Sequence, residues 1–218
     1  MCNGEKTEPS FKHRLFDTIG FSCHRCDHRF VPEIEVTSDQ SRKHFKTNER
    51  RADFYAMNVL RYLDFESVVD IGVPPDLLLL NLLHRVKPAV RKYAYDLFPI
   101  KTPEYVTFLD DLGQAPSVDV AIALHVVEHI PDRAIHNFVA QVSDLARWFI
   151  LEVPNCSRRP DDREPHYHFF TPRSFSSLVE PFGAHAHRIV GFGPRRRPAL
   201  IAYRLPEGVA IHNGLSLH

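Results

Sequence analysis

Between Ser67 and Tyr203, short runs of β-branched and apolar residues alternate with stretches of helical spacing. Ser67-Val-Val-Asp-Ile-Gly72, Val90–Tyr95, Tyr105–Leu109, Val118–Leu124 and Trp148–Val153 read as strands, the fourth with an almost unbroken apolar face. Continuous apolar runs of this kind belong to strands covered on both faces, and so to a parallel sheet with helices on each side. Three helices are predicted among these strands: Pro75–Val86, with proline near its first turn, where the missing N–H costs nothing; Asp132–Arg147, with Asp132 in the first turn and Arg147 in the last; and Thr171–Phe182, capped by Thr171 with Pro172 at its first position. A further helix over Thr47–Asp64, with Thr47 or Asn48 as N-cap, places Phe54, Met57, Val59, Leu60 and Leu63 at roughly helical spacing. His187–Phe192 and Ala199–Tyr203, with a short Gly-Pro-Arg link between them, predict an antiparallel hairpin at one edge. The fold class is α/β: Rossmann-like, doubly wound and mostly parallel.

The length of 218 residues suits one domain with an appendage. Apolar residues at 44% and charged residues at 25% exclude a disordered or collagen-like chain. Lys plus Arg (27) balances Asp plus Glu (27), so no bulk electrostatic grip on nucleic acid or an anionic membrane is indicated. The run Leu77–Leu83 is broken by Asn81 and falls far short of the ~20 residues of a bilayer span. The start Met-Cys-Asn-Gly-Glu-Lys has no signal-peptide character, and Cys2, Cys23, Cys26 and Cys156 form no disulfide framework, so a reducing cytoplasm is the expected compartment. The 14 histidines would make the chain strongly cationic on acidification. The expected organisation is a polar N-terminal extension or lid over 1–46, containing Cys23-His-Arg-Cys26 and a short strand around Phe30–Val36; a catalytic-type domain over 47–205; and a tail over 206–218.

In an open parallel sheet, ligands bind beyond the carboxyl ends of the strands, where the strand order reverses. Asp70-Ile-Gly72 ends the first strand, Asp96 follows the second, Asp110-Asp111-Leu112 the third and His125-Val-Val-Glu128-His129 the fourth. A carboxylate after the second strand is placed to accept both hydroxyls of a ribose. A carboxylate beside an apolar residue after the third would hold an adenine amino group and its ring face. These positions outline an adenosine-shaped slot.

Val69-Asp-Ile-Gly72, Asp96, Asp110-Asp111-Leu112, the run Val118-Asp-Val-Ala-Ile-Ala-Leu-His-Val-Val-Glu-His-Ile-Pro131, Leu151-Glu-Val-Pro-Asn155 and His168-Phe-Phe-Thr-Pro172 together resemble the class I S-adenosylmethionine-dependent methyltransferases, over about Thr47 to Arg204. The resemblance implies a seven-stranded sheet with its last strand antiparallel. It also implies S-adenosylmethionine as cofactor, held by Asp70, Gly72, Asp96, Asp110, Asp111 and Leu112. The acceptor would be a small or medium-sized molecule or a modified biopolymer, methylated at oxygen or nitrogen. Candidate groups facing it are His125, His129, His166 and His168, any of which would serve as general base. The departure lies in the first loop: the family's D-x-G-x-G-x-G becomes Asp70-Ile-Gly-Val-Pro-Pro-Asp76. Two prolines remove two backbone donors, and Asp76 adds negative charge where a cofactor carboxylate often lies. A member that has lost the cofactor and serves as a binding or partner subunit is the alternative.

Two metal readings stand beside these. If the chain turns helical after the fourth strand, His125, Glu128 and His129 share a face and, with His166 or His168, form a nitrogen/oxygen set for a divalent metal. This set looks like that of the metal-dependent small-RNA 2′-O-methyltransferases, which have Glu where this chain has His125. Cys23-x-x-Cys26 is half of a zinc site, with His24, His28, His44, Cys2 or Cys156 as completing ligands. Arg158-Arg159 and Arg195-Arg-Arg197 flank the substrate side and favour an acidic or phosphate-bearing acceptor.

Overall fold

A computed structural model describes residues 7–13, 18–23, 25–31, 49–157, 166–189, 192, 198–209 and 211. The expected ligands Cys2, His24 and His44, the caps Thr47 and Asn48, and the clusters Arg158-Arg159 and Arg195–Arg197 lie outside these residues.

Three strands open the chain: β1 (Thr7–His13), β2 (Thr18–Cys23) and β3 (Arg29–Phe30). Helix α1 (Glu49–Asp53) continues into a π-helical stretch (Phe54–Val59) and a 3-10 turn (Leu60–Tyr62). The expected regular helix is therefore under-wound and then over-wound. The wider π turn buries Phe54, Tyr55, Ala56 and Val59 together, a set too broad for one stripe at 3.6 spacing. Then follow β4 (Ser67–Ile71), α2 (Leu78–Val86), β5 (Arg91–Tyr95), β6 (Val106–Leu109), β7 (Val118–Leu124), α3 (Asp132–Leu145), β8 (Ala146–Pro154), β9 (His168–Phe169), α4 (Pro172–Val179), β10 (His185–Ile189) and β11 (Ala199–Arg204).

Three helix boundaries depart from expectation. Helix α2 begins at Leu78, not Pro75, after Leu77 in the left-handed region at φ 50°. Pro75 disfavours the helical conformation at Pro74, so the chain makes a turn (Leu77 N–H to the Pro74 carbonyl, 3.0 Å) before it can wind. Helix α3 stops at Leu145 and passes straight into β8, so Arg147 lies in a strand instead of a last helical turn. The pairing of Ala146 with Val118 starts the ladder there. Helix α4 has the expected cap: Thr171 Oγ1 accepts the Ser174 N–H while Ser174 Oγ accepts the Thr171 N–H, a reciprocal pair at the helix start. It ends at Val179 and gives way to a 3-10 turn over Glu180–Phe182.

The main sheet has seven strands in the order β10-β11-β8-β7-β4-β5-β6. The neighbours β4, β5, β6, β7 and β8 pair in parallel, and β11 runs antiparallel to both β8 and β10. Strand order turns over between β4 and β7, which is where such sheets open a crevice. Alternate residues of the central strands face opposite layers. Val68, Val120, Ile122 and Ile150 pack with α1, α2 and the π turn. Val69, Ala121, Ala123 and Leu151 pack with α3 and α4. A second sheet, β1-β2-β3-β9, joins the N-terminal hairpin to the segment that follows β8, so the extension is stitched to the main domain by β-pairing of Arg29 and Phe30 with Phe169 and His168. No described helix is long and apolar enough to cross a membrane.

Candidate active site

Three acidic positions mark the β4–β5–β6 side of the crevice. Asp70 sits opposite Ala94 and Ile122 in the ladder and is buried, and burial pushes its carboxyl up to about 8. Asp96 is half-buried; burial raises its pKa, partly opposed by the Phe98 N–H that its Oδ1 accepts at 2.9 Å. Asp111 is exposed and caps a 3-10 turn, accepting the Gly113 N–H at 2.8 Å and the Gln114 amide at 3.0 Å. The phenol of Tyr95 is raised by burial and then by the charges of Asp111 and Asp96. Asp110 is exposed and Leu112 buried.

The loop after β4 offers little to a ligand's anionic end. The N–H groups of Gly72 and Val73 both go to the Tyr95 carbonyl, at 2.7 and 3.4 Å, and Pro74 and Pro75 have none. Gly72 is required by the protein itself: its φ is +74°, and an added Cβ would lie 2.3 Å from a methyl of Val126.

Across the switch point the side chains are bound to one another. Glu152, near the end of β8, is fully buried and accepts from Arg51 Nε at 2.9 Å and from the Tyr55 hydroxyl at 2.6 Å. His125 follows β7 with φ 61°, a conformation costing a non-glycine residue about 1–3 kcal/mol. Its N–H bonds to the Glu152 carbonyl at 2.8 Å, which holds the turn. Its Nε2 lies 2.8 Å from Arg51 Nη2 and 3.1 Å from Glu152 Oε1, and its Nδ1 lies 3.1 Å from Glu128 Oε1. A guanidinium keeps its protons, so His125 Nε2 accepts from Arg51 when it carries no proton and donates to Glu152 Oε1 when it does. Burial lowers the pKa of His125, as does Arg51, but Glu128 and Glu152 outweigh them and leave it raised.

Glu128 is the most unusual group. It is fully buried, and among the described residues neither of its oxygens has an aligned hydrogen bond, although His125 stands at ion-pair distance. Burial would raise its pKa; His125, His129 and His166 instead draw it down to about 2. The ligating atoms of Glu128, His129 and His166 all lie within 4.8 Å of one another. The helical continuation expected after the fourth strand does not form: the chain turns at His125 and makes one 3-10 turn over Val127–His129. Even so, Glu128 and His129 come together, and the third partner is His166. Tyr167 N–H bonds to the Glu128 carbonyl at 2.9 Å and fixes that approach.

His168 goes elsewhere. Its Nδ1 meets His28 Nε2 at 2.9 Å and its Nε2 meets the Ile130 carbonyl at 2.9 Å, so it clamps the N-terminal hairpin. Burial lowers both imidazoles, His28 well below its ordinary value and His168 to about 4. Asp132 lies beside them as a third ligand-type group.

Cys23 and Cys26 are buried in the β2–β3 turn, which is closed by the Cys23 N–H to the His28 carbonyl and the Asp27 N–H to the Cys23 carbonyl. Among the described residues, the two groups of three metal-capable side chains contain no cysteine. Cys156 packs instead with Val31 and Phe169. Zinc at the Cys-x-x-Cys pair gains no third ligand from these residues.

Arg51 and Tyr55 went unread in the sequence. Their signal would have been two polar side chains on an otherwise apolar helical face, visible only once α1 was known to cross the ends of β7 and β8.

No family model and no curated protein matches the chain. Solved structures do. The chain is similar to the 1,6-didemethyltoxoflavin-N1-methyltransferase of Burkholderia thailandensis, crystallised with 1,6-didemethyltoxoflavin and S-adenosylhomocysteine, at 16% identity and TM-score 0.57, over 81% of this chain and 94% of that one. It is similar to the methyltransferase domain of the bacterial CtHen1-CN at 16% identity and TM-score 0.54, over 72% and 97% of the two chains. It is similar to human N-acetylserotonin methyltransferase, solved with SAM, at 14% identity and TM-score 0.53, over 71% of this chain and about half (51%) of that one. The fold is that of the class I S-adenosylmethionine-dependent methyltransferases.

Proposed function

We propose that the protein transfers a methyl group from S-adenosylmethionine to an oxygen or nitrogen of a small or medium-sized acceptor, as a cytoplasmic enzyme. The observation that carries this reading is Asp70. A buried carboxyl held uncharged on β4, the strand beside the switch point, is a ready partner for a ligand cation, and the amino group of the cofactor is one. Asp96 and Asp111, which follow β5 and β6 and whose charges both act on Tyr95, suit the ribose and adenine. The fit is closest at the nucleoside and amino ends. At the carboxylate end the Val-Pro-Pro loop contributes no free N–H between Gly72 and Pro75.

When bound, the sulfonium supplies an electrophilic methyl group, so the protein's work is alignment of the acceptor and removal of its proton. His129 and His166, beside the ionised Glu128, are the groups we assign to the acceptor side. Glu152, Arg51 and Tyr55 hold His125 in its strained turn and so fix where Glu128 stands.

Calorimetry with S-adenosylmethionine and S-adenosylhomocysteine tests the assignment. Binding at pH 7 should release a proton from Asp70, so the measured heat should vary with the buffer's ionisation enthalpy. No heat at millimolar cofactor would instead favour a non-catalytic binding protein, the reading supported by the altered loop.

A second reading has its own observation. Buried carboxylate oxygens without an aligned donor, ringed by His129 and His166, suit a divalent cation. Glu128, His129 and His166 would hold it, and it would supply a Lewis acid for an acceptor hydroxyl. Mn2+ should then raise the melting temperature of the wild type and not of His166→Ala. An equal response in both rejects the metal.

A further inference from the structure

A cleft of about 420 Å3 separates the turn between β2 and β3 from the start of α4. Arg29 of β3, Arg173 in the first turn of α4 and Arg188 of β10 all line it, as do Ser22 and Ser157. Among the described residues Asp27 is the one carboxylate in the lining, which leaves two positive charges in excess. Arg29 is half-buried and braced by the Cys156 carbonyl at 3.4 Å. Arg173 and Arg188 are exposed, and among the described residues neither takes part in an ion pair. Three guanidiniums gathered on one cavity with a single acid among the described lining residues repel one another unless an anion enters.

The cleft is also in the right place. Ser157 lies just past the end of β8, Arg188 near the end of β10, and α4 starts on the same sheet edge as the crevice. Thr171, at the cleft wall, is joined to His166 by five steps of chain that include β9, so their Cα atoms stand no more than roughly 18 Å apart. An acceptor of modest length spans that gap.

We propose that this cleft binds a phosphomonoester group of the methyl acceptor. The inference rests on the methyl-transfer reading above and deepens it by naming the acceptor's chemistry. A phosphomonoester carries close to two negative charges at neutral pH and presents three oxygens to guanidinium forks. A phosphodiester carries one charge and leaves one excess guanidinium unmatched.

Calorimetry at pH 7.5 with ribose 5-phosphate, ribose and dimethyl phosphate tests this, with S-adenosylhomocysteine titrated into the same samples. Ribose 5-phosphate should bind the wild type, and ribose and dimethyl phosphate should bind at least tenfold more weakly. Arg173→Ala and Arg188→Ala, both on exposed positions, should each weaken ribose 5-phosphate tenfold or more. Arg61→Ala, an exposed arginine outside the cleft, should not. A 5′-phosphorylated dinucleotide run beside ribose 5-phosphate tells a polymer end from a small metabolite by which of the two binds more tightly. Ribose 5-phosphate binding no better than ribose, or binding equally to wild type and both cleft variants, overturns the proposal. If phosphate binding fails while S-adenosylhomocysteine still binds, the cleft assignment alone falls. If ribose 5-phosphate binds and the cofactor does not, methyl transfer falls and with it the acceptor role of the cleft.

Discussion

Asp70 and Glu152 are both buried carboxyls near the carboxyl end of the same sheet, and their surroundings drive them to opposite states. Glu152 is ionised, its pKa lowered against burial by Arg51, His125 and Tyr55. Asp70 has no such partners among the described residues and is raised to about 8 by burial. The contrast separates a side of the switch point where the protein supplies its own cations and donors from a side where, among the described residues, it supplies none to the carboxyl. Burial sets the cost of charge at both places; the partners decide whether that cost is met.

The sharpest break of this contrast is Asp70→Asn. A group whose folded pKa lies above its unfolded value keeps its proton on folding, so stability declines as pH rises from about 4 to about 8. Each pH unit in that window removes about 1.36 kcal/mol, a total on the order of 5 kcal/mol. Asn carries no proton to lose, so chemical denaturation should show a variant more stable than the wild type at pH 8, with the difference shrinking towards pH 4. A pH-independent difference would mean that Asp70 is charged in the fold.

On the completed side, Glu152→Ala strands a half-buried guanidinium and a buried phenol and should cost about 3 kcal/mol in urea unfolding, with Glu152→Gln markedly milder. Comparable stability in Glu152→Ala and wild type would show that the network is ornamental. Where the halves meet, Gly72→Ala should cost about 2–4 kcal/mol, from left-handed strain and the collision with Val126. The pair Gly72→Ala with Val126→Ala should recover the collision part only, and a double-mutant cycle with no coupling would remove Val126 from the account. The smallest stability effect belongs to Asp96→Ala, within about 1 kcal/mol, since one backbone N–H loses its acceptor. Its affinity for S-adenosylhomocysteine should nevertheless fall tenfold or more, and an unchanged affinity would place the ribose elsewhere.

What could be read along the chain was local. Apolar runs gave the strands, because a strand covered on both faces has no polar phase to show. Thr171 and Pro172 announced α4 through cap chemistry that lies within four residues. The acids at the strand ends were legible too, because a parallel sheet puts every strand's carboxyl end on one edge. The boundaries missed were those set by neighbours: α3 gives up Arg147 because Ala146 finds a place beside Val118.

Partnership across the fold was not legible. His166 and His168 lie two residues apart and looked interchangeable, yet one faces Glu128 and the other holds His28. In an extended segment such neighbours share a side, and only the pairing of β9 with β3 and the anchoring of Tyr167 to Glu128 decide their separate fates. Arg51 reaches Glu152 over a separation of 101 residues, which no local period records. Periodicity follows from backbone geometry and is written residue by residue. The charge state of a buried group depends on which distant side chains the strand order brings within a few ångströms, and that is decided only when the sheet closes.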